Sequence, residues 1–179
     1  MPYLVAVSGA SGSGKSTFAD ALRTYLESRQ KTVCVIAADR YFKKDLPKMI
    51  SPADGEEYSD WNHPDSVDMP AFLAAVREAM DSGEYDFVLI EGVTIFCHEA
   101  IREMADVKLY VDASIEMRIY RRIARNVVTM GRPSSSSAVT TSSAPATAKR
   151  NIPSRPPNMP TGILTTSGAS ISTRKAQKS

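Results

Sequence analysis

The sequence predicts an α/β protein in which a parallel β-sheet lies between two layers of helices. Three observations support this prediction: four short runs are largely apolar, amphipathic helical patterns separate several of them, and a glycine-rich turn joins the first run to the first helical pattern. Continuous apolar runs are typical of strands that are buried on both faces of a parallel sheet. The alternation of strand and helix predicts βαβ units with right-handed crossovers.

The four predicted strands are short, and helical patterns lie between them. The strands comprise residues 3–7, 32–36, 87–90 and 107–111, of which the last is the least purely apolar. Asp68, followed by Met69 and Pro70, is typical of a helix N-cap with proline in the first turn. Apolar residues at helical spacing mark the buried faces of two helices. These residues are Phe18, Leu22, Tyr25 and Leu26 in the first helix and Met69, Phe72, Leu73, Val76 and Met80 in the second.

The 179 residues suffice for one domain, and charge divides the chain into two parts. Residues 1–132 carry 16 Lys and Arg against 20 Asp and Glu, a net charge of −4, whereas residues 133–179 carry 6 Lys and Arg and no acid, a net charge of +6. The body therefore does not resemble a nucleic-acid binder. No apolar stretch is long enough for a membrane span or a signal peptide. Cys34 and Cys97 give no disulfide framework, so we expect a reducing compartment, the cytoplasm.

The composition changes abruptly after residue 132. Of the 47 residues from 133 to 179, 18 are Ser or Thr and 6 are Pro, and none is aromatic. Such a segment cannot bury enough apolar surface to offset the entropy lost on ordering it. We therefore expect a folded domain over residues 1–132 and a disordered tail over residues 133–179.

A phosphate-binding motif follows the first predicted strand. Residues 9–17 read GASGSGKST and match G-x-x-x-x-G-K-[ST], a turn whose successive backbone N–H groups face phosphate oxygens. Lys15 would contact the β- and γ-phosphates of ATP, and the Ser16 hydroxyl would bind Mg²⁺. A flexible Gly/Ser turn is the alternative, but the flanking strand and helix favour the nucleotide. The predicted nucleotide-binding residues are Gly9, Ala10, Ser11, Gly12, Ser13, Gly14, Lys15, Ser16 and Thr17.

Acidic residues follow the second and third predicted strands, where ligands of parallel α/β sheets bind. Asp39 is placed to accept the proton of a hydroxyl that attacks the γ-phosphate. Alternatively, Asp39 is a loop aspartate paired with a nearby arginine. Glu91 is placed to hold Mg²⁺ directly or through water. Alternatively, Glu91 is a solvated acid at the end of a strand.

Four arginines share one side of a predicted helix after the fourth strand. Arg118, Arg121, Arg122 and Arg125 follow i, i+3, i+4, i+7 spacing, so their like charges repel one another unless anions lie nearby. The phosphates of a nucleotide would be such anions, and guanidinium groups stabilise the charge on a phosphoryl group in transfer. The alternative is a solvated basic face near the end of a helix, and Arg118 fits that alternative best.

The long connection between the second strand and the second helix contains residues suited to a substrate. A connection of about 30 residues in so small a protein is usually functional. Trp61 could stack on a base or ring, and Asn62, His63 or Asp65 could bind sugar hydroxyls. Alternatively, Trp61 anchors the loop on the core, and His63 is a packed or surface histidine.

Together these residues resemble the uridine kinase family of P-loop nucleoside kinases, whose relatives act on nicotinamide riboside, pantothenate and ribulose phosphate. The resemblance covers about residues 3–132. It implies that Asp39 is the catalytic base, that Glu91 assists Mg²⁺, and that Arg122 and Arg125 lie in the lid. It also implies that Asn62 sits where an acid of the family binds the ribose. The predicted substrate-binding residues are Asp39, Tyr41, Trp61, Asn62 and His63. The matching segments are GASGSGKST, Asp39-Arg40-Tyr41-Phe42, Asn62-His63-Pro64-Asp65, Ile90-Glu91-Gly92, and Val111-Asp112 with Arg121-Arg122-Ile123-Ala124-Arg125-Asn126.

The sequence departs from the family pattern at four places. Asn62 stands where the family has an aspartate, and the lid lacks one acid, at Asn126, and one arginine, at Met130. The base-binding hairpin of uridine kinases is absent before the third strand. The tail replaces the family's last helix and fifth strand, so we expect a P-loop NTPase three-layer sandwich with strand order 2-3-1-4 and the fifth strand missing. We expect truncation or a change of reading frame after about residue 133.

The sequence therefore predicts a kinase that transfers the γ-phosphoryl group of ATP to a primary hydroxyl of a nucleoside resembling uridine or cytidine. ATP and Mg²⁺ are the expected cofactors, and Asp39, Lys15, Arg122 and Arg125 are the predicted catalytic residues. Two alternatives stay open: a kinase of a related metabolite such as nicotinamide riboside or pantothenate, and an ATP-binding protein with impaired catalysis. The expected partner is a small molecule, and we expect neither nucleic acid nor membrane as a partner.

Overall fold

A computed structural model describes residues 1–125 of the chain and the backbone of residues 163–165. The four predicted strands run parallel, and their order in the sheet, counted along the chain, is 2-3-1-4, which confirms the predicted order. The helices and strands in chain order are β1 (Tyr3–Ser8), α1 (Lys15–Ser28), β2 (Val33–Ala37), β3 (Lys48–Ile50), β4 (Glu57–Ser59), α2 (Met69–Asp81), β5 (Phe87–Gly92), α3 (Glu99–Met104), β6 (Val107–Asp112), α4 (Ile115–Ala124) and β7 (Ile163–Thr165).

The structure corrects the expectation that a fifth strand is missing. Strand β7 pairs in parallel with β6, so that Ile163 lies opposite Tyr110 and Thr165 lies opposite Asp112. Without β7, the edge of β6 would present unpaired N–H and C=O groups, and Ile and Thr are β-branched residues that favour strands. The rest of the predicted disordered tail, residues 133–162 and 166–179, lies outside the described residues.

The sheet is covered on both faces because its central strands are apolar on both sides. In β1, Leu4 and Ala6 contribute to one buried cluster, which includes Phe72 and Val76 of α2. Val5 and Val7 point to the other face and join a second cluster against the apolar side of α1. This alternation explains why β1 reads as a continuous apolar run. No helix among the described residues is long and apolar enough to cross a bilayer.

Local sequence signals place the helix ends. The Asp68 side chain accepts a hydrogen bond from the Ala71 N–H (3.1 Å), and Pro70 lies in the first turn of α2, which confirms the predicted N-cap. The connection from α2 to β5 spans only residues 82–86, so the described structure has no hairpin there, as expected. Helix α3 has six residues, too few for a clear periodic pattern, and the sequence analysis did not predict it.

A two-stranded hairpin in the connection between β2 and α2 was not predicted. Strands β3 and β4 are antiparallel, with Met49 opposite Tyr58. Gly55 closes the turn with a φ of +74° and donates its N–H to the Ser51 carbonyl (2.9 Å). Three-residue strands carry too little alternation for a sequence pattern to reveal them. The hairpin orders part of the long connection that the sequence analysis treated as a loop.

Candidate active site

The loop of residues 9–14 curls between the end of β1 and the start of α1. Gly12 and Gly14 have φ values of +82° and +101°, which residues with a Cβ rarely adopt. The Ser13 N–H donates to the Ala10 carbonyl (3.0 Å), which closes the turn. No side chain of residues 1–125 caps the N-terminus of α1 at Gly14. The first amides of α1 are therefore available to an anion, as the motif predicts.

The loop is also packed tightly against the end of β6. A Cβ at Gly9 would overlap the carbonyl oxygen of Val111 and lie 2.6 Å from the Ser13 Oγ. The Ser13 hydroxyl is buried and has no hydrogen-bond partner among the described residues. Because an unpaired buried hydroxyl is costly, this atom suits a site that gains a polar partner when a ligand binds.

Lys15, Ser16 and Glu91 meet at the end of the loop. The Ser16 Oγ donates to the Glu91 Oε1 (2.9 Å), and the Lys15 Nζ lies 3.8 Å from the Glu91 Oε2. Both charged side chains are buried, with 9% of the Lys15 side chain and 7% of the Glu91 side chain exposed. The structure therefore contradicts the alternative that Glu91 is a solvated acid, and it brings together the two residues predicted to hold Mg²⁺.

The pKa of Glu91 is raised, chiefly because burial disfavours the charged carboxylate. The Lys15 charge and the Ser16 hydrogen bond lower the pKa of Glu91, whereas the charges of Asp39 and Asp20 raise it. Its Oε2 atom is buried and accepts no hydrogen bond among the described residues. A carboxylate of this kind gains most from a cation that binds beside it.

Asp39 lies in a single 3₁₀ turn, Ala38–Tyr41, that follows β2 directly. Strand β2 pairs with β5 so that Ala37 lies opposite Glu91, which places Asp39 close to the Glu91 carboxylate. The Asp39 side chain is exposed, and none of residues 1–125 forms an ion pair or hydrogen bond with it. The alternative of an aspartate paired with a nearby arginine therefore finds no support among these residues.

Two arginines of α4 donate hydrogen bonds to the phosphate loop, and a third, Arg122, is partly buried. Arg121 donates from Nη1 to the carbonyls of Ser13 (3.0 Å) and Gly12 (3.4 Å), and Arg118 donates from Nε to the carbonyl of Ser11 (3.4 Å). Burial lowers the pKa of Arg122, and the charges of Arg125 and Arg118 lower it further. The sequence favoured Arg122 and Arg125 and gave Arg118 the weakest case, whereas Arg118 and Arg121 donate these hydrogen bonds to the loop. Helical spacing predicts that all four arginines share one side of the helix, but it does not show which of them form these hydrogen bonds.

The residues predicted for the substrate lie along two adjacent segments, residues 39–42 and 61–65. Phe42 forms a bridge with Val67, and its ring meets Trp61 edge to face at 5.0 Å, which brings the two segments together. Trp61 is half exposed, so the contact with Phe42 leaves part of its ring accessible. Tyr41 packs edge to face on Phe72 at 5.5 Å and so contributes to the core beside α2.

Asn62 and His63 take part in local turns. The Asn62 N–H donates to the Asp60 Oδ1 (3.0 Å), which leaves the exposed Asn62 side chain for other contacts. The His63 Nδ1 accepts the Asp65 N–H (3.1 Å) and caps a short 3₁₀ turn, Pro64–Ser66. His63 is therefore a partly exposed histidine that caps a turn, which is close to the alternative of a packed or surface histidine.

The residues present fit a nucleotide and a divalent cation. The loop offers free helix N-terminal amides and the buried Ser13 hydroxyl, while Ser16 and Glu91 offer hard oxygen ligands side by side. Mg²⁺ prefers such oxygen ligands and usually takes its others from phosphates and water. This arrangement suits phosphoryl transfer, in which a metal and cations neutralise the phosphates while a carboxylate accepts a proton.

The chain is similar to known proteins in sequence and in fold. The model of the phosphoribulokinase/uridine kinase family matches residues 57–149. A uridine kinase of Brevibacillus brevis is 33% identical over 153 residues, which cover 73% of this chain and 69% of that protein. Uridine-cytidine kinase B of Dictyostelium discoideum is 27% identical over 155 residues, and the match spans 61% of that protein's length. A solved structure of a candidate fructose transport system kinase from Silicibacter sp. TM1040 has a TM-score of 0.57 at 19% identity, covers 79% of both chains and supports the fold.

Proposed function

This chain belongs to the phosphoribulokinase/uridine kinase family, and we propose that it transfers the γ-phosphoryl group of ATP to a primary hydroxyl of a nucleoside resembling uridine or cytidine. We assign this activity to residues 1–132. The observation that carries the proposal is the buried group of Lys15, Ser16 and Glu91 at the end of the phosphate loop, next to the exposed carboxylate of Asp39.

Each of these residues has a distinct task in the proposed reaction. Bound Mg·ATP supplies the electrophilic phosphoryl group. The loop amides and Lys15 bind its phosphates, and Ser16 and Glu91 hold the metal. Asp39 would accept the proton of the attacking hydroxyl, whose oxygen bonds to the γ-phosphorus while the bond to the bridging oxygen breaks and ADP leaves. Arg122 and Arg125 stabilise the negative charge that spreads over the phosphoryl oxygens.

The segments 39–42 and 61–65 form the proposed acceptor site. We propose that the accessible part of Trp61 contacts the base and that Asn62 binds a sugar hydroxyl, with Tyr41 and His63 completing the wall. A neutral amide binds a hydroxyl less strongly than a carboxylate does. This favours a broader acceptor range, in which nicotinamide riboside or pantothenate are alternatives to a pyrimidine nucleoside.

A screen of acceptors tests the proposal. ADP release from Mg·ATP would be measured with uridine, cytidine, nicotinamide riboside and pantothenate, for the wild-type chain, for Asp39→Asn and for the control Asp45→Asn, an exposed loop residue. We expect acceptor-dependent turnover that falls about 100-fold or more in Asp39→Asn and stays unchanged in Asp45→Asn. Turnover of Asp39→Asn near the wild-type rate would contradict the role of Asp39.

A second candidate function follows from the lid sequence. Asn126 and Met130 stand where the family has an acid and an arginine. These changes favour a nucleotide-binding protein with impaired catalysis. Binding of Mg·ATP without turnover of any acceptor in the same screen would support that function and rule out the kinase.

A further inference from the structure

Three successive carbonyl groups of the phosphate loop accept hydrogen bonds from the helix α4. Arg118 binds the carbonyl of Ser11, and Arg121 binds the carbonyls of Gly12 and Ser13. A guanidinium group is always charged and presents several N–H donors in a fixed plane, so it suits neighbouring carbonyls. Both side chains are partly buried against the loop. The bonds therefore form a continuous contact along the outer side of the turn.

The backbone of α4 lies directly against the phosphate loop, which positions the side chains of Arg118 and Arg121 beside the loop. A Cβ at Gly12 would lie 2.8 Å from the carbonyl oxygen and 3.2 Å from the Cα of Arg118, so the helix backbone touches the loop at Gly12. A Cβ at Gly14 would lie 3.4 Å from the Arg121 Nη1. The glycines of the motif thus do more than permit curvature, because they also let α4 approach the loop.

Peptide geometry links these carbonyls to the phosphate side of the loop. In a trans peptide, the carbonyl of one residue and the N–H of the next point in opposite directions. When Arg121 holds the Ser13 carbonyl outward, the Gly14 N–H faces inward, and Arg118 does the same for the Gly12 N–H through Ser11. A charge-assisted bond to a carbonyl also polarises the peptide, so the opposite N–H becomes a stronger donor.

We infer that Arg121, assisted by Arg118, is a positioning residue that holds the peptide groups of the phosphate loop in the orientation that binds phosphate. The inference rests on the proposed function, in which this loop binds the phosphates of a nucleotide. It gives Arg118 and Arg121 a role in orienting the loop, in addition to the proposed role of Arg122 and Arg125 at the phosphoryl group. Movement of α4 and phosphate affinity are then coupled through the loop carbonyls.

Titration with inorganic pyrophosphate and with Mg·ADP tests the inference. The variants are Arg121→Ala, Arg121→Lys and the control Arg102→Ala, since Arg102 likewise donates to a backbone carbonyl, that of Phe96 (2.7 Å), on another loop. We expect Arg121→Ala to weaken pyrophosphate binding about tenfold and Arg121→Lys to restore it to within about threefold. Arg102→Ala should lower the melting temperature and leave affinity within about twofold.

A second measurement separates orientation of the loop from direct attraction of the anion. At saturating pyrophosphate, the amide ¹⁵N–¹H resonance of Gly14 should shift in the wild-type chain and shift less in Arg121→Ala. Weaker binding with an unchanged shift at saturation would show that Arg121 attracts the anion by charge alone and would overturn the inference. So would binding by Arg121→Ala within about twofold of wild type.

The remaining outcomes keep the two proposals distinct. If Arg121→Ala fails to fold, Arg118→Ala and Arg121→Lys carry the same test, with smaller losses expected. If the wild-type chain binds pyrophosphate and Mg·ADP but phosphorylates no acceptor, the proposed function fails and the positioning role stands. If the wild-type chain binds neither ligand, both proposals fail.

Discussion

Replacement of Gly12 by alanine should destabilise the protein because α4 touches the loop at this residue. Gly12 has a φ of +82°, and an L-residue in this conformation costs about 1 kcal/mol after the gain from a stiffer unfolded chain. The new Cβ would also lie 2.8 Å from the Arg118 carbonyl oxygen, and a helix backbone cannot move as a side chain end can. Relief of this overlap displaces α4 at a further cost of about 1–3 kcal/mol.

Gly83→Ala is the matched control for this variant. Gly83 has a φ of +73°, but no atom of the part of the chain that the structure describes lies within 4 Å of the position its Cβ would take. In Gly83→Ala, the conformational cost of about 1 kcal/mol is therefore the only expected loss of stability. The expected free energies of unfolding thus fall by about 2–4 kcal/mol in Gly12→Ala and by about 1 kcal/mol in Gly83→Ala.

Urea unfolding without ligand measures both variants, and thermal melting gives a second readout. For a chain of this size, about 1 kcal/mol corresponds to about 2–4 °C, so Gly12→Ala should melt about 4–16 °C lower and Gly83→Ala about 2–4 °C lower. Equal losses in the two variants would refute the reasoning, because they would show that α4 does not press on the loop.

Two further changes test the buried charge and the core. Glu91→Gln should remove a pH dependence of stability. Because burial raises the pKa of Glu91, the folded protein binds more protons than the unfolded chain between about pH 4.3 and the raised pKa, so stability falls as pH rises through that window. Urea unfolding at about pH 5 and pH 8 should show a smaller decrease for the neutral glutamine, and equal decreases would contradict this assignment. Phe72→Ala should lower the free energy of unfolding by about 3–5 kcal/mol, since Phe72 is fully buried and supports Tyr41. A loss below about 1.5 kcal/mol in urea unfolding would show that the core does not depend on this ring.

The buried charges around Glu91 make the folded protein less stable than apolar side chains at the same site would. A buried carboxylate beside a buried lysine and near two further carboxylates carries a desolvation cost that the Lys15 ion pair offsets only in part. A bound cation would compensate this cost. The same arrangement that weakens the folded chain therefore favours the ligand-bound state.

The sequence predicted the elements whose signals are local. The apolar runs of β1, β2, β5 and β6 and the Asp68 cap of α2 depend on residues close together in the chain, and the structure places each as expected. The phosphate loop was also recognisable, because its glycines, Lys15 and Ser16 lie within eight consecutive residues. These patterns reflect backbone geometry and helix or strand period, which act over a few residues.

The sequence did not show elements and contacts that depend on distant residues. The hairpin of β3 and β4 is too short for a periodic pattern, and β7 forms because β6 offers an open edge about 50 residues earlier in the chain. The sequence named Ser16 and Glu91 as candidates, yet whether Glu91 was solvated or buried was left open. The burial of Glu91 depends on how the ends of three strands pack together, and no local sequence pattern predicts that packing.

The arginines of α4 give the clearest division between the two kinds of information. Helical spacing alone determined that Arg118, Arg121, Arg122 and Arg125 share one side of a helix. Only the tertiary structure showed that Arg118 and Arg121 donate hydrogen bonds to the loop carbonyls, because those bonds depend on the angle at which α4 meets Gly12. A helix fixes its own side chains relative to one another through backbone hydrogen bonds, whereas packing against another segment fixes where that helix lies.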